Sequence, residues 1–226
     1  MYRFINSDKI IKTDSVNTNI IRGCGMNEKF FDLKKEKQDR VICAALKLFG
    51  SSGYKHASCD DIVREAGISK GLLFHYFISK LGLYGFLYDY SVRFLSLEID
   101  SNVDKNETDF FEIRKQLLKA KIDVMSQYPY MIRFLNVADD EKEPEAILQI
   151  KEKKEALKSI YERILDNADI TVFLDGTDYE RISRMLDYTL NGLLKDYLAK
   201  EYFDPEQYKN EAFRFIDIVS GLCRRE

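Results

Sequence analysis

Apolar residues recur three and four positions apart through most of the chain, which is the period of an amphipathic helix. Val41, Ile42, Ala45, Leu48 and Phe49 form one such stripe. They predict a helix from about Lys34 to Ser52 that Gly53 ends. A broader face (Leu83, Phe86, Leu87, Tyr90, Phe94, Leu97, Ile99) predicts a long helix from Lys80 to about Asn102. Gly82 and Gly85 sit in its first turns, either to allow motion or to accommodate packing. A helix from Glu107 to Gln127 follows, with Phe111, Ile113, Leu117, Leu118, Ile122 and Met125 apolar. Pro129 starts or kinks the next one, and residues 139–144 read as an acidic loop. A charged helix from Glu145 to Ala168 is expected to bury Ile147, Ile150, Leu157, Ile160, Ile164 and Leu165. Its KEKKE run reads as a solvated face. Two more helices close the chain, Thr177 to Lys200 and Pro205 to Arg225. Thr177 and Glu180 have the spacing of a capping box, and Pro205 suits a first helical turn.

Between the first two long patterns lie two short ones. Asp60 to Ala66 holds Ile62 and Val63 among Asp61, Arg64 and Glu65. Gly67 stands where a left-handed C-cap is expected. Ser69 can cap the helix that follows, which runs to about Tyr76 with Leu73 and Phe77 inward. Two short helices joined by a tight glycine turn make a helix-turn-helix, whose second helix enters the DNA major groove.

The segment from Ala45 to Leu83 resembles the N-terminal DNA-binding domain of the TetR family of transcriptional regulators. The matching parts are AALKLFGSSGY, DIVREAGISKG, the aromatic run FHYF, and SK before the next helix, in that order and at that spacing. The resemblance implies an all-α protein. An N-terminal three-helix DNA-binding domain (27–80, motif 58–77) would precede a helical ligand-binding and dimerisation domain (81–226). Residues 1–26 are polar and irregular, and are expected to be a disordered extension or the product of a misassigned start.

The first residues of the second short helix are the base-reading candidates. Lys70 can donate to guanine or to a phosphate. Ser69 and Gly71 flank it, the glycine allowing close backbone approach. Leu72 offers apolar contact where many family members carry a hydroxyl. His75, Tyr76 and Lys80 are candidates for phosphate contact, a role the resemblance implies for the aromatic run and the lysine. Phe74 stands where the family often has tyrosine. Ser58 can bond a phosphate, cap its helix, or do both.

The resemblance also implies a small-molecule inducer bound in the body, with Tyr88, Phe94, Met125, Tyr128, Phe134, Tyr161 and Tyr188 as candidate lining. Ordinary helix core is the other reading for each. It further implies a homodimer through the last two helices, with Met185, Leu190, Leu193, Tyr197, Phe213, Ile216 and Val219 as candidate contacts. Those helices could instead only cap the monomer core. The partners expected are therefore a palindromic operator in double-stranded DNA, a second copy of the chain, and an inducer.

Composition adds less. At 226 residues, with 45% hydrophobic and 32% charged residues, 11 Gly and 3 Pro, the chain is long enough for one or two domains and poor in helix breakers. Residues 27–80 carry 10 Lys/Arg against 7 Asp/Glu, while residues 81–226 carry 21 against 29. A basic head and an acidic body suit a DNA reader. The cysteines Cys24, Cys43, Cys59 and Cys223 are scattered without metal spacing, so free thiols in the cytoplasm are expected, with no metal or cofactor. No apolar run reaches the roughly 18 residues of a membrane span. The only histidines, His56 and His75, lie in the head without a nucleophile or carboxylate at recognisable spacing, so no enzyme is expected. A ligand-released repressor is the function implied; a ligand-independent dimeric regulator and an activator remain alternatives.

Overall fold

The computed structural model describes residues 28–200 and 203–225. The expected extension, residues 1–26, and Cys24 with it, lies outside them. Ten α-helices are described, numbered here in chain order: α1 Glu28–Phe31, α2 Lys35–His56, α3 Cys59–Ala66, α4 Lys70–Phe77, α5 Lys80–Asn102, α6 Phe110–Gln127, α7 Met131–Asp139, α8 Pro144–Leu165, α9 Tyr179–Ala199 and α10 Pro205–Cys223. A 3-10 turn, Ile170–Val172, precedes α9. Among the described residues no strand forms, only isolated bridges between Asp109 and Asp169 and between Phe173 and Arg224.

The chain divides into two compact units. One comprises residues up to Phe94 together with Gln127–Lys153, and the other comprises Leu95–Ser126 and Lys154–Glu226. The first unit thus gathers α1 to α4, the start of α5, α7 and the start of α8. Its core is aromatic. Phe49 meets Tyr84 at 5.2 Å between ring centroids, and Phe134 meets Tyr84 at 5.3 Å. Phe30 of α1 lies 5.0 Å from Phe77 and 5.4 Å from Phe86. α1 is an element the helical period did not reveal. It is a single turn, and its mark is the pair Phe30–Phe31, both buried.

Gly53 does end the long run of α2, at φ 68°, ψ 178°, where a side chain would be strained. Gly82 and Gly85 are places of close approach. A Cβ on Gly82 would lie 2.2 Å from the Phe77 carbonyl oxygen, and one on Gly85 would lie 2.4 Å from the Gln149 amide.

The second unit is held by α6, α9 and α10. Phe110, Phe111, Phe173 and Tyr179 form one aromatic cluster with centroids 5.1–5.5 Å apart. Buried Arg114 lies over the Phe110 ring and pairs with Asp187. Lys115 reaches Asp217 at 2.8 Å.

Two boundaries and one buried face differ from the expected ones for identifiable reasons. α6 starts at Phe110, because the Asp109 carboxylate accepts from the N–H groups of Phe111 (3.0 Å) and Glu112 (3.1 Å). α9 is capped by Asp178 rather than Thr177. The Asp178 carboxylate accepts from Arg181 N–H at 3.1 Å, while the Thr177 N–H closes a turn on Leu174. A carboxylate is the better partner for a helix N-terminus. On α8 only Ala146 and Ile150 are buried, and Ile147 and Leu148 face solvent. The expected burial of Ile147 is therefore corrected: the helix carries a narrower apolar stripe than its composition suggests.

Candidate nucleic-acid interface

The helix-turn-helix is built by three caps. Ser58 stands outside α3 in an extended conformation, and its Oγ accepts from Asp60 N–H at 3.2 Å. At the other end Gly67 adopts the left-handed conformation (φ 64°, ψ 43°). Its N–H bonds Arg64 O at 3.3 Å and the Ile68 N–H bonds Val63 O at 3.1 Å. This pair of bonds is a Schellman ending, which satisfies carbonyls the helix leaves open. Ser69 then caps α4, its Oγ accepting from Leu72 N–H at 3.2 Å. Both serines accept a backbone bond at Oγ, a bond that does not use their O–H donors.

Below these caps Ile62, Ala66, Leu73 and Phe77 are buried. Ser69, Lys70, Gly71 and His75 are exposed, and Ser58, Leu72, Phe74 and Tyr76 are half-buried. Tyr76 packs its ring 5.6 Å from Phe30 and 5.2 Å from His75. A side chain at Gly71 would meet nothing within 4 Å, so the space beside it is open to an approaching molecule. Lys80 opens α5 half-buried. Its ammonium donates to Lys55 O at 3.1 Å and lies 4.7 Å over the Tyr54 ring. Lys70 reaches Asp60 at 3.0 Å, a partner the sequence reading did not foresee.

The elbow before α3 is gripped from α7 and α8. The Glu141 carboxylate accepts from the N–H groups of Tyr54 (3.0 Å), Lys142 (2.8 Å) and Glu143 (3.0 Å). Tyr54 Oη donates to Glu145 at 2.7 Å, Lys55 pairs with Glu143 at 3.0 Å, and Arg133 donates to Gly50 O at 3.1 Å. Burial pushes the Glu141 carboxyl up, but the three backbone N–H donors and the Lys80 charge outweigh it and hold it below its ordinary value. Burial, with the Glu145 hydrogen bond added, pushes the Tyr54 phenol well up. The acidic loop is thus a clamp on the head. Nothing local in the sequence marks it, because its partners are more than 80 residues away.

Among the described residues the cysteines Cys43, Cys59 and Cys223 are free thiols. Burial, with Asp39 adding to it, pushes Cys43 up to about 11. No group of three or more His, Cys, Asp or Glu able to hold a metal occurs among the described residues.

Four of the candidate inducer residues lie in the first unit and three in the second. In the first unit, Phe134 and Tyr88 meet at 6.2 Å and Phe94 and Tyr128 at 5.0 Å, all buried. The Tyr128 hydroxyl bonds that of Tyr90 at 2.9 Å and donates to Asp39 at 3.1 Å, so it ties α2 into the core. In the second unit Met125 is buried, and Tyr161 lies under the Lys121 ammonium at 5.1 Å. Tyr188 is 75% exposed on α9, where it lines an open surface groove with Arg181, Arg184, Met185 and Thr189.

The candidate dimer contacts also divide. Tyr197, Ile216 and Val219 are buried within the second unit, where Tyr197 packs on Tyr208 at 5.6 Å. Leu190, Leu193 and Phe213 are half-buried and Met185 is exposed. The apolar side chains offered to solvent by α9 and α10 are Met185, Tyr188, Phe215, Ile218 and Leu222.

A capped helix-turn-helix whose second helix opens to solvent, in an all-helical chain, is the architecture found in DNA-binding regulators. Residues 41–85 match the model of the bacterial regulatory proteins of the tetR family. The uncharacterized HTH-type transcriptional regulator YuxN of Bacillus subtilis is 38% identical over 87 residues, 37% of this chain and 28% of that one. The chain therefore spans little more than a quarter of that relative's length. The biofilm operon icaADBC HTH-type negative transcriptional regulator IcaR of Staphylococcus aureus is 22% identical over 185 residues, 80% of this chain and 97% of its own. In structure, a TetR family transcriptional regulator from Chloroflexus aurantiacus J-10-FL superposes with TM-score 0.63 at 20% identity, covering 88% of this chain and 99% of that one. The ketosteroid transcriptional regulator KstR2 of Mycobacterium tuberculosis superposes with TM-score 0.64 at 16% identity, covering 86% and 97%. Residues 41–85 thus carry the TetR-type DNA-binding sequence, and over most of its length the chain shares the fold of TetR family structures.

Proposed function

We propose that the chain is a homodimeric, sequence-specific repressor that a small molecule releases from a palindromic operator. The observation that carries the DNA-reading part is α4. Its inward residues Leu73 and Phe77 are locked in the core, while Ser69, Lys70 and Gly71 face open space at its N-terminus. That is the geometry in which a recognition helix meets base edges. Repression is favoured by the likeness over most of the chain to IcaR, itself a negative regulator.

Dimerisation is supported by the exposed apolar side chains of α9 and α10, which a second copy would cover. A two-fold dimer requires half-sites about 34–36 Å apart or a multiple of that. Release by a small molecule needs a ligand with different affinity for the bound and free states of the head. No helix among the described residues is long and apolar enough to cross a membrane, and we place the protein in the cytoplasm beside its DNA. A gel shift against DNA upstream of its own gene, with salt varied and unrelated DNA as control, tests the reading. Selective, salt-sensitive retardation is expected. Equal retardation of both DNAs at every salt would refute sequence-specific binding.

A further inference from the structure

We propose that Asp60 and Lys70 act as one paired reader of a G·C base pair, and that Asp60 penalises every other sequence. The proposal rests on the DNA-binding reading above and assigns it a second reading residue, on α3.

Lys70 is the only formally charged residue of α4 (KGLLFHYF). Its ammonium is 3.0 Å from the Asp60 carboxylate. Each member springs from a capped helix start, where Ser58 fixes the Asp60 N–H and Ser69 fixes the Leu72 N–H two residues beyond Lys70. The two side chains are 64% and 52% exposed, so the pair is no strut, since exposed ion pairs are screened by water and add little to stability. Helix-dipole compensation does not account for it. Asp61 sits in the same first turn of α3 and is paired with Arg64 at 2.7 Å, and an acid at a helix N-terminus needs no lysine across the turn.

The pair has a chemical meaning at a groove floor. Guanine presents the acceptors O6 and N7, and its cytosine partner presents the N4 amino donor beside them. A cation and a carboxylate held side by side match that order, lysine to guanine and aspartate to cytosine. An A·T pair sets its one donor, adenine N6, between two acceptors and breaks that order, and at acceptor edges and phosphates the carboxylate is repelled. Lys70 alone would bind any DNA, whereas Lys70 with Asp60 binds well only where a base donates. The open space at Gly71 leaves room for that approach.

The test is binding-site selection from random duplex DNA with wild type, Asp60→Asn, Asp61→Asn and Lys70→Ala, followed by anisotropy titrations on the selected site and a scrambled duplex. Wild type should select a motif with one G·C pair per half-site at which Asp60→Asn and Lys70→Ala both lose about tenfold discrimination, within the roughly 1–3 kcal/mol of a good base contact. Asp60→Asn should also bind the scrambled duplex several-fold more tightly. Asp61→Asn removes the same charge; it should gain on the scrambled duplex and keep the wild-type motif. An Asp60→Asn motif identical to wild type would overturn the paired reading alone. So would a loss falling at an A·T pair, or at a different position from the loss in Lys70→Ala. A wild-type protein that selects no motif would overturn this proposal and sequence-specific binding together.

Discussion

The two short helices α3 and α4 and the two long helices α9 and α10 offer solvent opposite kinds of surface. The short pair presents charges in pairs, Lys70 with Asp60 and Arg64 with Asp61, over a small apolar base. The long pair presents Met185, Tyr188, Phe215, Ile218 and Leu222. A polar, ion-paired face exchanges its partners readily and suits a charged polymer that is bound and released. An exposed apolar row on helices already packed together suits a contact kept by water's exclusion. The difference sets an ion-paired face against an apolar one within a single chain.

The largest effect that could break this contrast lies on α10. Ile216 is fully buried and Ile218, two residues on, is 59% exposed. Ile216→Ala should cost about 2–5 kcal/mol of stability in denaturant titration. Ile218→Asp with Leu222→Asp should leave that titration nearly unchanged and convert dimer to monomer in light scattering. Intact dimers would move the dimer contact elsewhere. On the head, Lys70→Ala should weaken operator binding by about 1–3 kcal/mol with the melting temperature unchanged. Equal affinity would remove α4 from the groove.

Smaller is the cap. Ser69→Ala should cost about 1 kcal/mol, seen as a melting temperature lower by a few degrees. The smallest is a pH effect at the elbow. The Glu141 carboxyl is held below its ordinary value, so its contribution to stability is present above that ordinary value and is lost as pH falls through the depressed one. Glu141→Gln should therefore show a shallower loss of melting temperature in acid than wild type. Parallel curves would remove Glu141 from the clamp.

The head was legible because its signals are local. Ser58, Gly67 and Ser69 act within two to four residues of themselves, and each caps its helix as its spacing implies. The all-helical fold was legible for the same reason, through the period of its stripes. The body yielded less because its signals are shared. Phe213, Phe215, Ile216 and Ile218 are all apolar, more than one helix face can hold, and only the packing of α10 in the fold decides which are covered. Tyr188 looks like pocket lining in the sequence and faces solvent in the structure. The Glu141 clamp and the Asp60–Lys70 pair join residues on different elements, and side chains of that kind read as solvated charge until the fold brings them together.

The grip of Glu141 and Glu145 on the elbow bears on how the head could be transplanted. A fragment cut after Lys80 keeps every residue of the helix-turn-helix. It discards the acceptors for the Tyr54 N–H and hydroxyl, the guanidinium that reaches Gly50 O, and Phe86 and Phe134 from the aromatic core. Because the compact unit is assembled from two separated stretches, residues up to 94 and 127–153, no single cut frees it. A chimera meant to carry this DNA preference to another body must bring both stretches across.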